Sequence, residues 1–257
     1  YGLRQQVRDI EQLGQYTLVE RLGEGGMGVV YRANHAMLRR PTAVKLIPAE
    51  KSSEEAVARF EREVRHTARL THPNTVTIFD YGRSPDGVFY YAMEFLDGAS
   101  LEEIVEVTGP LPAARVQRLL AMAAGALAEA HEAGLIHRDI KPANIMITRQ
   151  GGEWDVTKVV DFGLVKDITG EAGASITRAN VVAGTPLYIA PELVLDASNL
   201  DGRADLYALG AVACYVLTGQ HVFDGKTAME VCMKHARDTP VPVGERGVEI
   251  HPELCAV

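Results

Sequence analysis

The stretch His137-Arg138-Asp139-Ile140-Lys141-Pro142-Ala143-Asn144 is followed, 17 residues after the asparagine, by Asp161-Phe162-Gly163. Between the two, Ile145-Met146-Ile147 and Val156 to Val160 read as a hairpin turned at Gly151-Gly152. Short strands that end beside carboxylate and amide groups can set oxygen ligands around Mg²⁺, a hard cation that takes carboxylate, carbonyl and phosphate oxygens. Asp139 is the right type to accept a hydroxyl proton. Lys141, two residues on, can neutralise a moving phosphoryl group. Residue type, spacing and strand context agree, which a polar turn carrying unrelated acids would not produce.

Upstream, Pro112 can open a helix at its first turn. Val116, Leu119, Leu120, Ala123, Leu127 and Ala130 give that helix an apolar stripe, and Gly134 stops it. Downstream, Asp205 to Leu217 reads as an almost wholly apolar helix, expected to be buried on all sides. Before residue 97 the pattern changes. Tyr16 to Leu22, Val29 to Ala33, Thr42 to Ile47, Thr75 to Tyr81 and Val88 to Phe95 are rich in β-branched and aromatic residues and predict strands. Ser84-Pro85-Asp86-Gly87 predicts the turn joining the last two. Val57, Phe60, Val64 and Ala68 recur at helical spacing, with Ser52 or Ser53 as N-cap and Glu54 and Glu55 at the positive end of the dipole. The expectation is a small sheet-rich lobe followed by a larger helical one, a pairing that commonly takes its ligand in a cleft.

Two further features belong to the first lobe. Gly23-Glu24-Gly25-Gly26-Met27-Gly28 lies between two strands, not between a strand and a helix, so a dinucleotide fingerprint fits poorly. Glycines in a hairpin loop let backbone amides close over phosphate oxygens, although a plain glycine-rich hairpin reads the same way. Lys45 sits in an apolar strand, and Glu63 borders the buried face of the helix. A pair between them would hold the ammonium against a polyphosphate, whereas either residue alone reads as a solvated surface charge.

Composition narrows the field. The 257 residues are 47% hydrophobic and 23% charged, near the averages of globular proteins, which argues against a disordered or low-complexity chain. Lys plus Arg number 26 and Asp plus Glu 34, a net charge of −8, so nucleic acid is not an expected partner. Cys214, Cys232 and Cys255 include no CxxC pair and read as thiols in a reducing compartment. The longest apolar stretch, Leu206 to Leu217, is short of the ~20 residues that cross a bilayer. The start at Tyr1 reads as a piece cut from a longer protein.

These motifs resemble the eukaryotic-like protein kinase family, and most closely its bacterial serine/threonine members. Six parts occur in order: the glycine-rich loop, strand lysine, helix glutamate, HRD-type loop, Asp-Phe-Gly and Ala190-Pro191-Glu192. The resemblance runs from about residue 16 to 257 and implies a bilobal α+β fold. A flank of 1–15 would precede a β-rich N-lobe of 16–96 with one key helix, and a helical C-lobe would cover 97–257. It also implies ATP and Mg²⁺, with Mn²⁺ as a substitute. Gly23, Gly25 and Gly28 would lie over the phosphates, with Leu22 at the head of the loop, and Lys45, paired to Glu63, would contact them. Adenine would lie between Val30 and Ala43 on one side and Met146 on the other. It would bond the backbone of Glu94 and Leu96, with Met93 as gatekeeper. Asp139 would orient or deprotonate the substrate hydroxyl, Lys141 would touch the γ-phosphate, and Asn144 and Asp161 would hold the metal. Asp205 would brace the backbone of the catalytic loop. Asp139-Ile140-Lys141-Pro142 and Gly184-Thr185-Pro186 resemble serine/threonine rather than tyrosine kinases, with Thr185 bonded to Asp139 and Lys141. A phosphate on Thr177, with Ser175 and Thr169 as further candidates, would pair with Arg138 and Lys166.

The departures are local. Thr42-Ala43-Val44-Lys45 is a mild variant of the lysine strand. The end at His251 to Val257 resembles the start of a late C-lobe helix, so a truncated C-lobe is expected. Glu192 would then lack its usual arginine, and Val222, Phe223 and Met229 would be exposed. Protein substrates, a homodimer for trans-autophosphorylation and a cytoplasmic domain, with any anchor outside these residues, complete the expectation. Two alternatives are a nucleotide-binding scaffold without catalysis and a kinase-fold enzyme for small hydroxylated molecules.

Overall fold

The β-branched and aromatic runs before residue 97 form an antiparallel sheet of six strands: β1 (Gln12–Leu13), β2 (Tyr16–Gly25), β3 (Gly28–His35), β4 (Pro41–Ile47), β5 (Ile78–Arg83) and β6 (Phe89–Glu94). Their order is β1-β2-β3-β4-β6-β5. The computed structural model describes residues 12–25, 28–47, 61–62, 64–84, 87–162, 186–195 and 200–248. They fall into two units. The first runs to Leu96 without His72–Thr75, and the second takes those four residues and continues from Asp97.

In the first unit β4 is buried at every position after Pro41, as a central strand covered on both faces must be. One face of the sheet carries the core: Ala33, Val44, Leu46, Tyr90 and Ala92, closed by Leu13, Tyr16 and Val88. Tyr16 meets Tyr90 edge to face with centroids 6.4 Å apart. β2 slips register between Leu18 and Glu20 and again between Arg21 and Gly23. The two extra residues, Val19 and Leu22, are left 55% and 46% exposed, as unpaired residues of a bulged edge are.

Two expectations need correction here. The run from Thr75 to Tyr81 becomes strand only at Ile78. Thr75 instead bridges Val159 in the second unit, because Asn74 fixes that segment: its Nδ2 donates to Thr157 O at 2.7 Å and its carbonyl accepts from Val159 N at 2.8 Å. Residues 61–62 and 64–67 are helical, with Val64 fully buried, but Ala68 lies past the last turn and is exposed. Thr67, 2% exposed, takes the inward place. Ser52, Ser53, Val57, Phe60 and Glu63 lie outside the described residues.

The second unit begins with a short antiparallel sheet, β7 (Gly98–Ser100), β8 (Ile145–Gln150) and β9 (Glu153–Val159), with β8 central. α1 (Leu101–Thr108) starts at a capping box in which Ser100 Oγ accepts from Glu103 N and the Glu103 carboxylate accepts from Ser100 N. α2 (Ala113–Glu132) follows, with Pro112 as its N-cap, one residue ahead of the expected place. Val116, Leu119, Ala123, Leu127 and Ala130 are buried as expected, joined by Ala126; Leu120 is only half-buried. Among the described residues α3 (Pro191–Leu195), α4 (Arg203–Thr218) and α5 (Ala228–Arg237) follow.

α4 is not buried all round. Leu206 is 51% exposed and Gly210 is exposed one turn on, so a helix apolar on every side still keeps one face outside the packing of the described residues. Of the three residues expected to be exposed near α5, only Met229 is. Val222 and Phe223 are half-buried, Phe223 because its ring packs edge-on against His235 at 5.0 Å.

Candidate active site

α2 ends at Glu132 with Ala133 as its C-cap, and Gly134, at φ +75°, turns the chain back toward the stretch that opens at His137. His137 is fully buried. Its Nδ1 accepts the Asp139 amide at 3.3 Å, so Nε2 carries the proton and donates to Val160 O at 2.9 Å. Burial holds this imidazole below the ordinary histidine range, which keeps it neutral in that tautomer. The ring also packs on Phe162, centroids 4.7 Å apart. One buried side chain thus ties residues 137–139 to residues 160–162.

Asp205, in the first turn of α4 and 1% exposed, anchors the same loop from the other side. Its Oδ2 accepts the His137 amide and its Oδ1 the Arg138 amide, each at 2.8 Å. The brace expected of this residue is therefore present. A third bond comes from His131 Nε2, 2.8 Å from Oδ2. Charge-assisted bonds of this kind offset the cost of burying the carboxylate.

The loop is held in an unusual conformation. Arg138 has φ +63° and Asp161 φ +61°. Two of the four non-glycine residues with positive φ among those described thus fall in this small region, where surrounding bonds over-determine the backbone. Asp139 Oδ2 lies 3.0 Å from Lys141 Nζ and accepts from Asn144 Nδ2 at 3.1 Å. Nδ2 donates also to Asp139 O at 2.8 Å, which leaves Oδ1 as the oxygen Asn144 has to offer a cation. Val160 N donates to Asn144 O at 3.0 Å, bringing the next residue, Asp161, alongside Asn144. Asn144 and Asp161 are hard oxygen donors, a set that suits Mg²⁺ when phosphate and water oxygens complete the shell.

In the first unit, strand register groups the expected nucleotide residues. Val30 pairs with Lys45, Lys45 with Tyr91, and Ala43 with Met93. Since paired residues and alternate residues share a face, Val30, Ala43, Lys45 and Met93 lie together on the face opposite the core cluster. Lys45 is 4% exposed, so it is not the solvated strand lysine that its sequence alone allows. Glu94 ends β6, with its amide on Thr77 O at 2.9 Å and its carboxylate accepting from Thr77 N at 2.8 Å. Leu96 and, in the second unit, Met146 are half-buried. Gly25, Glu63, Lys166, Thr169, Ser175, Thr177 and Thr185 were also singled out. Of these only the Gly25 backbone, at the end of β2, is among the described residues.

Sequence reasoning missed His131, which reaches Asp205 across 74 residues, and Asn74, which ties its segment to β9. Nothing local marks Asn74. The only sequence signal for His131 is a polar residue in the last turn of a helix six residues before the loop.

Two sheet-and-helix units and an aspartate–lysine–asparagine loop seated on a buried carboxylate are the parts that mark the protein-kinase class. The model of the protein kinase domain family matches residues 16–247, and the chain belongs to that family. Within it the similarity runs to bacterial serine/threonine kinases. The chain is 40% identical over 235 residues to serine/threonine-protein kinase pkn3 of Myxococcus xanthus, covering 90% of this chain and 43% of that protein. It is 38% identical over 247 residues to serine/threonine-protein kinase PknB of Mycolicibacterium smegmatis, covering 95% and 39%. The chain therefore spans about two-fifths of the length of these relatives. The crystal structure of the Mycobacterium tuberculosis PknI kinase domain is similar at TM-score 0.69 and 29% identity, over 95% of this chain and 84% of that one. The family uses ATP and a divalent metal ion. No helix among the described residues is long and apolar enough to cross a membrane.

Proposed function

We propose that this domain transfers the γ-phosphoryl group of ATP to serine and threonine hydroxyls of proteins. The observation that carries the reading is the Asp139 carboxylate, set within 3.0 Å of the Lys141 ammonium and 3.1 Å of the Asn144 amide in a strained, braced loop. Asp139 orients the acceptor hydroxyl and takes its proton. Lys141 offsets charge on the group in flight. Catalysis on this reading is positioning and charge neutralisation.

Asn144 and Asp161 would hold Mg²⁺, or Mn²⁺ in its place, which neutralises phosphate charge when bound. Lys45 would take the α and β phosphates, with Glu63 as its expected partner. On this reading Leu22, Val30, Ala43, Met93 and Met146 would contact the adenine, and the backbone of Glu94 and Leu96 would bond its edge. Gly23, Gly25 and Gly28 bring their amides to the phosphates. Thr185 would bond Asp139 and Lys141, as the resemblance implies, which would favour serine and threonine acceptors. Autophosphorylation at Thr177, with Ser175 and Thr169 as further sites, would pair phosphate with Arg138 and Lys166 and would proceed between two copies of the domain.

Transfer from radiolabelled ATP to a generic basic protein tests the reading, with phosphoamino-acid analysis of the product and mass spectrometry of the kinase. Label on serine and threonine is expected, and Asp139→Asn is expected to lower the rate by about 10²-fold or more. Label on an aminoglycoside-like alcohol alone would overturn it.

A further inference from the structure

α5 carries an imidazole that takes no part in the loop around Asp139. His235, in the last turn of that helix, is 3% exposed. The hydroxyl of Tyr207, on α4, lies 2.8 Å from its Nδ1. Tyr207 and Phe223 pack edge-on against the ring, with centroids 5.7 and 5.0 Å away, and together they hold its orientation. The other nitrogen, Nε2, is buried and has no hydrogen-bond partner among the described residues. Burial keeps this imidazole neutral, while the Leu187 backbone works the other way and favours a proton on it. A carbonyl set against a ring N–H has that effect, and an amide N–H has the reverse. Nε2 therefore carries its hydrogen toward the Leu187 carbonyl, and Nδ1 accepts from Tyr207.

Leu187 lies two residues past Thr185, in a turn that is only loosely closed: Ile189 N donates to Pro186 O at 3.4 Å. A buried N–H without its bond costs free energy, and a turn this loose can supply the missing carbonyl. We propose that His235 is a positioning residue for the protein acceptor, its Nε2–H closing on the Leu187 carbonyl as the acceptor docks and fixing the turn that follows Thr185. This role rests on the phosphotransfer reading above and adds what holds the acceptor-side segment in place. A bond made only in the docked state strengthens acceptor binding, whereas ATP gains nothing from it. His235 touches no reacting group and acts through Leu187 alone. Tyr207 keeps the hydrogen on the nitrogen that faces Leu187.

The test uses His235→Phe, which keeps an aromatic ring without nitrogens, Tyr207→Phe, which leaves Nδ1 free to take the hydrogen, and His235→Gln, whose Oε1 and Nε2 can replace both bonds. KM for a generic basic protein is expected to rise about fivefold in His235→Phe and Tyr207→Phe, with KM for ATP within about twofold of the parent. His235→Gln returns the acceptor KM to within about twofold. A role in packing alone would lower the amount of active protein without splitting the two KM values. Imidazole nitrogen NMR of the unaltered domain gives a readout that needs no activity. The hydrogen of His235 is expected on Nε2, and the Nε2 and Leu187 carbonyl resonances are expected to move when the basic protein is added. Should His235→Phe not fold, Tyr207→Phe carries the same test. A hydrogen on Nδ1, resonances that ignore the acceptor, or a loss that glutamine does not restore overturns the proposal. If the unaltered domain transfers no phosphoryl group, the functional reading falls, and the NMR result alone decides whether His235 holds Leu187.

Discussion

Gly23 and Gly28 stand in one glycine-rich run, and the structure separates their reasons for being glycine. Gly28 has φ +133°, and a Cβ there would sit 2.1 Å from the Leu46 carbonyl oxygen on β4. The sheet itself forbids a side chain, so Gly28→Ala is expected to cost about 1–3 kcal/mol, read as a lower midpoint in urea. A Cβ at Gly23 would meet nothing within 4 Å. Gly23→Ala should therefore leave the free energy of unfolding within about 0.5 kcal/mol of the parent, while raising KM for ATP if the backbone here closes on phosphates. Sequence reading assigned both glycines to phosphate binding. A spacing pattern cannot show that one of them is also demanded by the neighbouring strand, because the demand comes from Leu46.

At the scale of elements, α1 shows a signal that lay in the sequence unused. Ser100-x-x-Glu103 is a capping-box pattern, and both of its reciprocal bonds are present. Ser100→Ala should cost about 1 kcal/mol, seen as a fall of roughly 2–4 °C in Tm. Strands were legible because β-branched and aromatic runs are local, and α2 because its stripe repeats every three to four residues. The start of β5 was not. Thr75 pairs with Val159, 84 residues away, so its place is set by a partner that no local window contains. α4 failed in the opposite sense: a helix apolar on every face says that burial is favourable, not which face its neighbours reach.

Across the whole molecule, acid should act through buried imidazoles. His137, His221 and His235 are all held below the ordinary histidine range, chiefly by burial. Each stays neutral in the fold after the unfolded chain has begun to take up its proton near pH ~6.5. The unfolded state then binds more protons, so stability is full above that pH and is lost as pH falls toward the folded values. A Tm that is flat from pH 7 to 8 and falls steadily below about 6.5 is expected. A Tm rising on acidification through that window would contradict the burial of these rings. Asp155, whose carboxyl is held low by its bonds to Arg115, adds a second loss in the carboxylate range. The catalytic motif itself was readable because its residues crowd into one stretch, whereas its supports had to be found in three dimensions.

The Asp205 brace ties the onset of activity to the order of synthesis. The loop that begins at His137 leaves the ribosome well before the aspartate that accepts its amides. Until α4 has emerged and docked, the nascent loop has no buried carboxylate to hold Arg138 in its left-handed turn. On the proposed reading, a half-made chain therefore lacks the braced loop and stays silent until α4 has been added.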